Sequence, residues 1–85
     1  MADTEFKARV TVTLKNGVLD PQGKAIEGAL GALDFGGVSS VRQGKVFDVA
    51  LSANSKKVAE ETLGNMCQKL LANTVIEDYA VEIIG

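Results

Sequence analysis

The chain has 85 residues, of which 46% are hydrophobic and 24% are charged, so it has room for one small domain over residues 1–85. Eleven acidic and nine basic residues give a net charge of −2, which argues against a protein that binds nucleic acid through a basic surface. Histidine is absent and Cys67 is the single cysteine, so the sequence lacks the commonest general base and cannot form an internal disulfide. No leader-like segment and no apolar run of about eighteen residues occurs, so we expect a cytoplasmic protein without a membrane contact.

The first predicted element is a strand. Apolar residues occupy every second position from Phe6 to Leu14, with polar residues between them. This period of two is typical of a half-buried strand. Asn16 and Gly17 follow, and because both tolerate positive φ they predict a turn.

A helix is predicted next. Asp20 can cap its amino terminus, and Pro21 suits the first helical position because its missing N–H would be unpaired there anyway. Apolar residues then follow at helical spacing and form one stripe: Ala25, Ile26, Ala29, Leu30 and Leu33. Gly36 and Gly37 end the segment.

Two strands in hairpin order are predicted after this helix. They span Val38 to Gln43 and Val46 to Ala53, with a tight turn at Gly44 and Lys45. The second strand alternates between two faces. One face carries Phe47, Val49 and Leu51, and the other carries Val46 and Ala50.

The clearest helical pattern lies in the last third of the chain. Asn54 or Ser55 can cap it, and apolar pairs then recur every four residues: Val58/Ala59, Thr62/Leu63, Met66/Cys67 and Leu70/Leu71. Asn73 suits the end of this helix. A final strand is predicted from about Glu77 to Ile84.

The order β-α-β-β-α-β predicts an α+β two-layer sandwich, in which two helices cover one face of a four-stranded, mainly antiparallel sheet. The opposite face would carry four aliphatic residues, Val46, Ala50, Ala80 and Ile84. A partly apolar open face on so small a domain favours a homo-oligomer, although scattered aliphatic residues are also normal on a monomer. This architecture serves many functions, so it does not identify the activity.

Residues that could carry chemistry are few. Cys67 lies on the apolar stripe of the second helix, and no histidine can activate it, so we expect a buried structural thiol. The glycines match neither common phosphate-binding pattern. Glu77 and Asp78 are adjacent in a strand and therefore point to opposite faces. The sequence predicts no catalytic, metal or cofactor site in this chain.

Three segments carry a family resemblance. They are V-T-L-K-N-G-V-L-D-P-Q-G at 12–23, V-x-x-V-R-x-G-K at 38–45 and M-C-Q-K-L-L-A-N-T-V-I-E-D-Y at 66–79. Together they closely resemble the PurS family, and the likeness spans about residues 6–84. PurS is the small subunit of phosphoribosylformylglycinamidine synthase, a glutamine-dependent carbon–nitrogen ligase of de novo purine biosynthesis.

The resemblance implies a subunit without an active site of its own. In the family's enzyme, a large synthetase subunit uses ATP and Mg, and a glutaminase subunit releases ammonia. The resemblance further implies that this chain bridges those two partners as a dimer or tetramer and assists ammonia transfer between them. The overall reaction converts formylglycinamide ribonucleotide, ATP and glutamine to formylglycinamidine ribonucleotide, ADP, phosphate and glutamate.

The family's recurring positions map onto three places in this chain, where the resemblance implies subunit-interface residues. They are Asp20, Pro21, Gln22 and Gly23 at the first helix, Arg42, Gly44 and Lys45 in the hairpin, and Asn73, Thr74, Glu77 and Asp78 after the second helix. Each of them also fits a purely structural role, as a cap, a turn residue or the start of a strand. The family often has Leu-Gly-Phe after the first helix, whereas this chain has Leu33, Asp34 and Phe35.

A different class of function is also compatible with the predicted fold. A dimeric regulatory module could bind a small ligand, such as an amino acid, between paired α+β domains. A third alternative, an acylphosphatase-like hydrolase, lacks the arginine-bearing phosphate loop near the amino terminus.

Overall fold

The structure is a computed structural model that describes residues 3–85. The described chain contains three strands and two α-helices, the second of which continues into a π-helical turn, Cys67–Leu71. The elements in chain order are β1 (Thr4–Leu14), α1 (Pro21–Ala32), β2 (Gly44–Ala53), α2 (Lys56–Met66) and β3 (Glu77–Ile83). No helix in residues 3–85 is both long and apolar enough to cross a membrane.

The sheet is antiparallel throughout, with the order β2-β1-β3. Val10 in the central strand lies opposite Phe47 of β2 and Val81 of β3. The inward residues Ala8 and Val10 are almost fully buried, because they form one cluster with Leu63 and Cys67, whereas the outward residues of β1 are exposed. The alternation that predicted this strand is therefore confirmed.

A single helix, α2, covers the inner face of the sheet. Its Leu63 and the Cys67 of the π-helical turn are fully buried against β1. The hydroxyl of Ser55 accepts a hydrogen bond from the Val58 N–H at 3.2 Å, which caps the helix as the sequence indicated. Burial of Cys67 is confirmed, and desolvation raises the pKa of its thiol.

Helix α1 lies outside this packing. The extensive contacts among the described elements join β1, β2, β3, α2 and the π-helical turn, and none of them involves α1. The molecule measures 58 × 25 × 15 Å and has a radius of gyration of 16.9 Å, whereas a compact chain of this length has about 12 Å. We refer to residues 20–43, which comprise α1 and the segment that follows it, as the arm.

Three features of the predicted fold are wrong. The sheet of the described chain has three strands rather than four, because Val38–Gln43 has no neighbouring strand. Its Val41 and Gln43 N–H groups donate instead to carboxylate side chains in the arm. There is no turn at Gly44 and Lys45, which are the first residues of β2. Only one helix covers the sheet, because α1 extends away in the arm.

The outer face of the sheet is open along its whole length. The four aliphatic residues expected there do lie on it and are exposed, with Val46 at 59% and Ile84 at 55%. Arg9 on the same face donates through Nε to Asp48 Oδ1 at 3.1 Å. This face therefore mixes aliphatic and charged side chains.

Candidate subunit interface

Asp20 joins the two ends of the arm. We call this place, where residues 20–23 meet residues 41–43, the arm root. Its Oδ1 accepts a hydrogen bond from the Gly23 N–H at 2.9 Å, and its Oδ2 accepts one from the Gln43 N–H at 2.7 Å. The first bond caps α1, and the second joins the end of the arm to its beginning. The Gln43 and Gly23 bonds hold the pKa of Asp20 below its usual value; the Arg42 charge adds to this, and burial opposes it.

Arg42 ties the same root to the end of β1. Its guanidinium donates to the carbonyl oxygens of Val18 at 3.0 Å, Lys15 at 3.1 Å and Leu14 at 3.3 Å. The two terminal nitrogens of one guanidinium group donate to these three carbonyl oxygens, and the single ammonium nitrogen of a lysine could not reproduce this arrangement. The side chain of Arg42 is therefore engaged within its own chain, where it positions the arm.

Residues 38–43, which we call the return leg of the arm, run back along α1. The Val41 N–H donates to Glu27 Oε2 at 2.9 Å. Gly23 leaves no space between helix and return leg, since a Cβ there would collide with the Val41 carbonyl oxygen and lie 2.7 Å from Asp20 Oδ2. The two legs are thus held together by polar bonds and by close backbone approach.

A second polar group lies where β2 and β3 begin. Glu77 Oε2 lies 3.6 Å from the Lys45 Nζ, and Glu77 Oε1 accepts from the Asn73 N–H at 2.7 Å. The Asn73 side chain in turn accepts from the Val75 N–H at 3.2 Å. These contacts hold the chain where it leaves the π-helical turn and begins β3.

A groove of about 520 Å³ runs between the arm root and this second group. Six of the eleven residues implied by the resemblance line it, namely Asp20, Pro21, Gln22, Gly44, Lys45 and Glu77. Gly23, Arg42 and Asn73 hold its walls through the bonds described above. Residues from three distant parts of the sequence are therefore brought to one end of the sheet.

Two of the eleven residues do not join the groove. Asp78 lies opposite Thr13 on the open face of the sheet, so the expected divergence of Glu77 and Asp78 is confirmed. Thr74 is exposed in the turn before β3. No bond between side chains connects either residue to the arm.

The sequence did not reveal the exposure of the arm. Its apolar stripe was expected to face the sheet, yet Ile26 is 40% exposed and Leu33 is 67% exposed. Phe35 and Val38, which follow the helix, are 57% and 43% exposed. The signal available in the sequence is that apolar residues continue past the helix, at Phe35 and Val38.

The polar side chains of Asp20, Arg42, Lys45 and Glu77 each bond within the described chain. Among residues 3–85, no group of three or more histidine, cysteine, aspartate or glutamate side chains is placed to hold a metal ion. The carboxylates of Asp20 and Glu77 accept backbone hydrogen bonds. The arrangement shapes a surface, and its outstanding property is the exposed apolar stripe beside the groove.

Comparison with known proteins agrees along nearly the whole chain. The family model for PurS, described as phosphoribosylformylglycinamidine (FGAM) synthase, matches residues 7–85. Among curated relatives, the phosphoribosylformylglycinamidine synthase subunit PurS of Synechocystis sp. is 46% identical over 78 residues, which is 92% of this chain and 78% of that protein. The Bacillus subtilis subunit of the same name is 42% identical, and the match covers 92% of each chain.

Solved structures give the same result. The B. subtilis PurS structure superposes with a TM-score of 0.84 at 42% identity and covers 94% of this chain and 99% of that one. The structure of PurLQS from Thermotoga maritima contains a chain with a TM-score of 0.88 at 32% identity, covering 95% and 99%. The chain therefore belongs to the PurS family of phosphoribosylformylglycinamidine synthase subunits.

Proposed function

We propose that this chain, as a single domain, is the PurS subunit of a glutamine-dependent phosphoribosylformylglycinamidine synthase in de novo purine biosynthesis. The observation that carries the proposal is the family match over residues 7–85. The likeness to a chain in the T. maritima PurLQS structure supports a place in a complex of several subunits. The enzyme would be a cytoplasmic carbon–nitrogen ligase, and this chain would be one part of it.

Within that complex, the subunit would be a scaffold without catalytic residues or a cofactor of its own. ATP and Mg would be used by the synthetase subunit, and ammonia would be released by the glutaminase subunit. The polar groups of the arm root support this role, because Asp20 and Arg42 are engaged with the backbone of their own chain. By bridging the two partners, the subunit would assist ammonia transfer from one to the other.

A bridging subunit needs more than one contact surface, and the described residues offer two that are well separated in sequence. One is the apolar stripe of the arm, represented by Leu33 and Phe35. The other lies after α2, where Leu70 is 84% exposed and Val75 is 80% exposed. Exposed aliphatic groups of this size are typical of surfaces that a partner covers.

The arm supports a homo-oligomer, as a dimer or a tetramer. A 12-residue helix is marginal in water without packing of its apolar face, yet α1 makes no extensive contact with another described helix or strand. A second copy can supply that layer, because placing the arm on the partner's sheet would restore the helix that the sequence pattern expects there. The segment from Val38 to Gln43 has a strand-like pattern but no strand partner among residues 3–85, which favours the same arrangement.

The residues of the groove would then lie beside the contacts between subunits. Asp20, Gly23 and Arg42 would position the arm, while Gln22 and Lys45, both exposed, would face a partner. Asn73, Thr74, Glu77 and Asp78 would shape the adjoining end of the sheet.

Reconstitution tests the proposal. The purified chain is mixed with a PurS-dependent synthetase and glutaminase, glutamine and Mg-ADP. The mass of the eluted complex is then measured by light scattering. We expect the three subunits to elute together, and glutamine-dependent formation of the amidine to fall sharply when this chain is withheld. Activity with free ammonia should largely survive, since that assay needs no transfer from the glutaminase. A chain that elutes alone, with equal glutamine-dependent rates in its presence and absence, would overturn the proposal.

A further inference from the structure

The turn between β1 and the arm contains an asparagine followed by a glycine. The Val18 N–H donates to the Lys15 carbonyl at 3.1 Å, which closes a four-residue turn. Gly17, at the third position, has φ +84°, and both Asn16 and Gly17 are exposed. A positive φ at that position is typical of a type II turn, in which glycine is favoured.

In this turn, no contact with a described residue hinders the Gly17 nitrogen from attacking the side chain of Asn16. Among the hydrogen bonds of residues 3–85, none uses the Gly17 N–H, and nothing lies within 4 Å of where a Gly17 Cβ would stand. The deprotonated nitrogen of Gly17 can attack Cγ of Asn16, which forms a five-membered succinimide and expels ammonia. Water then opens either carbonyl of the ring, so asparagine plus water becomes aspartate or isoaspartate plus ammonia.

The other three asparagines are less suited to this reaction. Asn54, Asn65 and Asn73 precede serine, methionine and threonine, whose side chains crowd the attacking nitrogen. Asn65 also lies inside α2, where the helix holds the backbone. The side-chain oxygen of Asn73 accepts a hydrogen bond from Val75.

The same turn carries the root of the arm. Arg42 donates to the carbonyls of Lys15 and Val18, one on each side of Asn16 and Gly17. Isoaspartate routes the main chain through the former side chain and so inserts one extra backbone carbon between those two acceptors. We propose that Asn16 is a site of spontaneous deamidation in the folded protein, and that its isoaspartate product loosens the attachment of the arm.

Peptide mapping tests the first half of the proposal. The full chain is kept folded in mildly alkaline buffer and sampled over time, then digested with trypsin. Cleavage after Lys15 and Lys24 gives a peptide in which Asn16 is the only asparagine, and the other three asparagines fall on separate peptides. We expect the amide form of peptide 16–24 to be lost and two acid forms, aspartate and isoaspartate, to appear in its place. The other three peptides act as internal controls and should stay unchanged.

Conversion that occurs only in denaturant, or equally at all four asparagines, would overturn this assignment. For the second half, hydrogen exchange of the Val41 and Gln43 amides is compared between aged wild type and aged Asn16→Gln. Both amides are hydrogen-bonded within the arm, so faster exchange in the converted wild type alone is expected. Unchanged exchange after full conversion would show that the arm does not depend on this turn.

Discussion

Asp20 accepts a 2.7 Å hydrogen bond from the backbone N–H of Gln43, which joins two residues 23 positions apart at opposite ends of the arm. The same carboxylate accepts from the Gly23 N–H and so caps α1. The Asp20 side chain therefore caps α1 and also joins the two ends of the arm that contains this helix. Both hydrogen bonds are accepted by the carboxylate, so they are strongest when Asp20 is ionised.

The charge of Asp20 should make the stability of the protein depend on pH in a defined direction. The pKa of Asp20 is lowered from an ordinary value of 3.8, first by the Gln43 hydrogen bond. A lowered pKa means that the contribution is complete above the unfolded value and is lost as the pH falls through the folded value. We expect thermal unfolding of Asp20→Asn to show lower stability at neutral pH and a smaller loss below about pH 4.

Asp78→Asn is the matched control for that measurement, because Asp78 is exposed on the open face of β3 and its side chain makes no hydrogen bond to another described residue. Its pH profile should follow that of wild type. A profile for Asp20→Asn that matches wild type at every pH would contradict the role of the carboxylate.

Two glycines of α1 should respond to alanine in opposite ways. Gly23→Ala places a methyl group against the Val41 carbonyl, and overpacking of this kind costs about 1–3 kcal/mol. Gly28 has nothing within 4 Å of the added carbon, so Gly28→Ala should stabilise the helix by about 0.5–1 kcal/mol. Urea unfolding of both variants measures the difference, and equal effects would show that the close approach at Gly23 is unimportant.

The apolar stripe of the arm should control self-association. Ile26→Ser together with Leu33→Ser removes two exposed aliphatic side chains, each contributing about 1.5–3 kcal/mol when a partner buries it. The concentration at which the oligomer dissociates should rise at least about tenfold. Sedimentation over a range of concentrations measures this rise, while the far-ultraviolet circular dichroism of the sheet and α2 is expected to be retained.

Lys24→Ser is the control for the stripe, since Lys24 lies in the same helix and its exposed side chain makes a 3.7 Å ion pair with the half-buried Glu27. It should leave the association unchanged. Equal masses for the stripe variant and wild type at all concentrations would place the contact between copies elsewhere.

Replacing Asp34 with glycine should stabilise the protein. It has φ +68° directly after Leu33, the C-cap of α1, and this conformation costs a side-chain-bearing residue about 1–2 kcal/mol. Asp34→Gly should raise stability by up to about 1 kcal/mol after the entropy of glycine in the unfolded chain is counted. Ser39→Gly, at an exposed position without positive φ, should lower it slightly. A loss of stability in Asp34→Gly would contradict the strain argument.

The Asp34 conformation also explains why glycine suits this position. The family often has glycine between the leucine and the phenylalanine at this helix exit, and the structure places that position in the left-handed region that glycine favours. Aspartate tolerates the same region better than most residues because its short side chain can bond locally. Asp34 can therefore occupy this left-handed conformation where glycine would be favoured.

Local patterns predicted those elements that depend on local causes. The alternation from Phe6 to Leu14 gave the correct faces of β1, because side chains alternate wherever a strand forms. The sequence predicts Asp20 as one cap and Asn54 or Ser55 as the other, because a cap acts within three residues of its own position, and the structure selects Ser55. The residues that meet at the groove were implied by resemblance, and no spacing in the sequence brings Asp20 near Gln43 or Lys45 near Glu77.

The sequence by itself determined the strand and helix periods, the caps, the burial of Cys67 and the membership of a family. Only the tertiary structure decided that Val38–Gln43 has no strand partner and that the stripe of α1 is exposed. The physical reason is that periodicity shows which side of an element is apolar, whereas the surface that covers it can belong to another part of the chain or to another molecule. In the arm, carboxylates accept hydrogen bonds from the backbone N–H groups of Val41 and Gln43, which a neighbouring strand would otherwise have accepted.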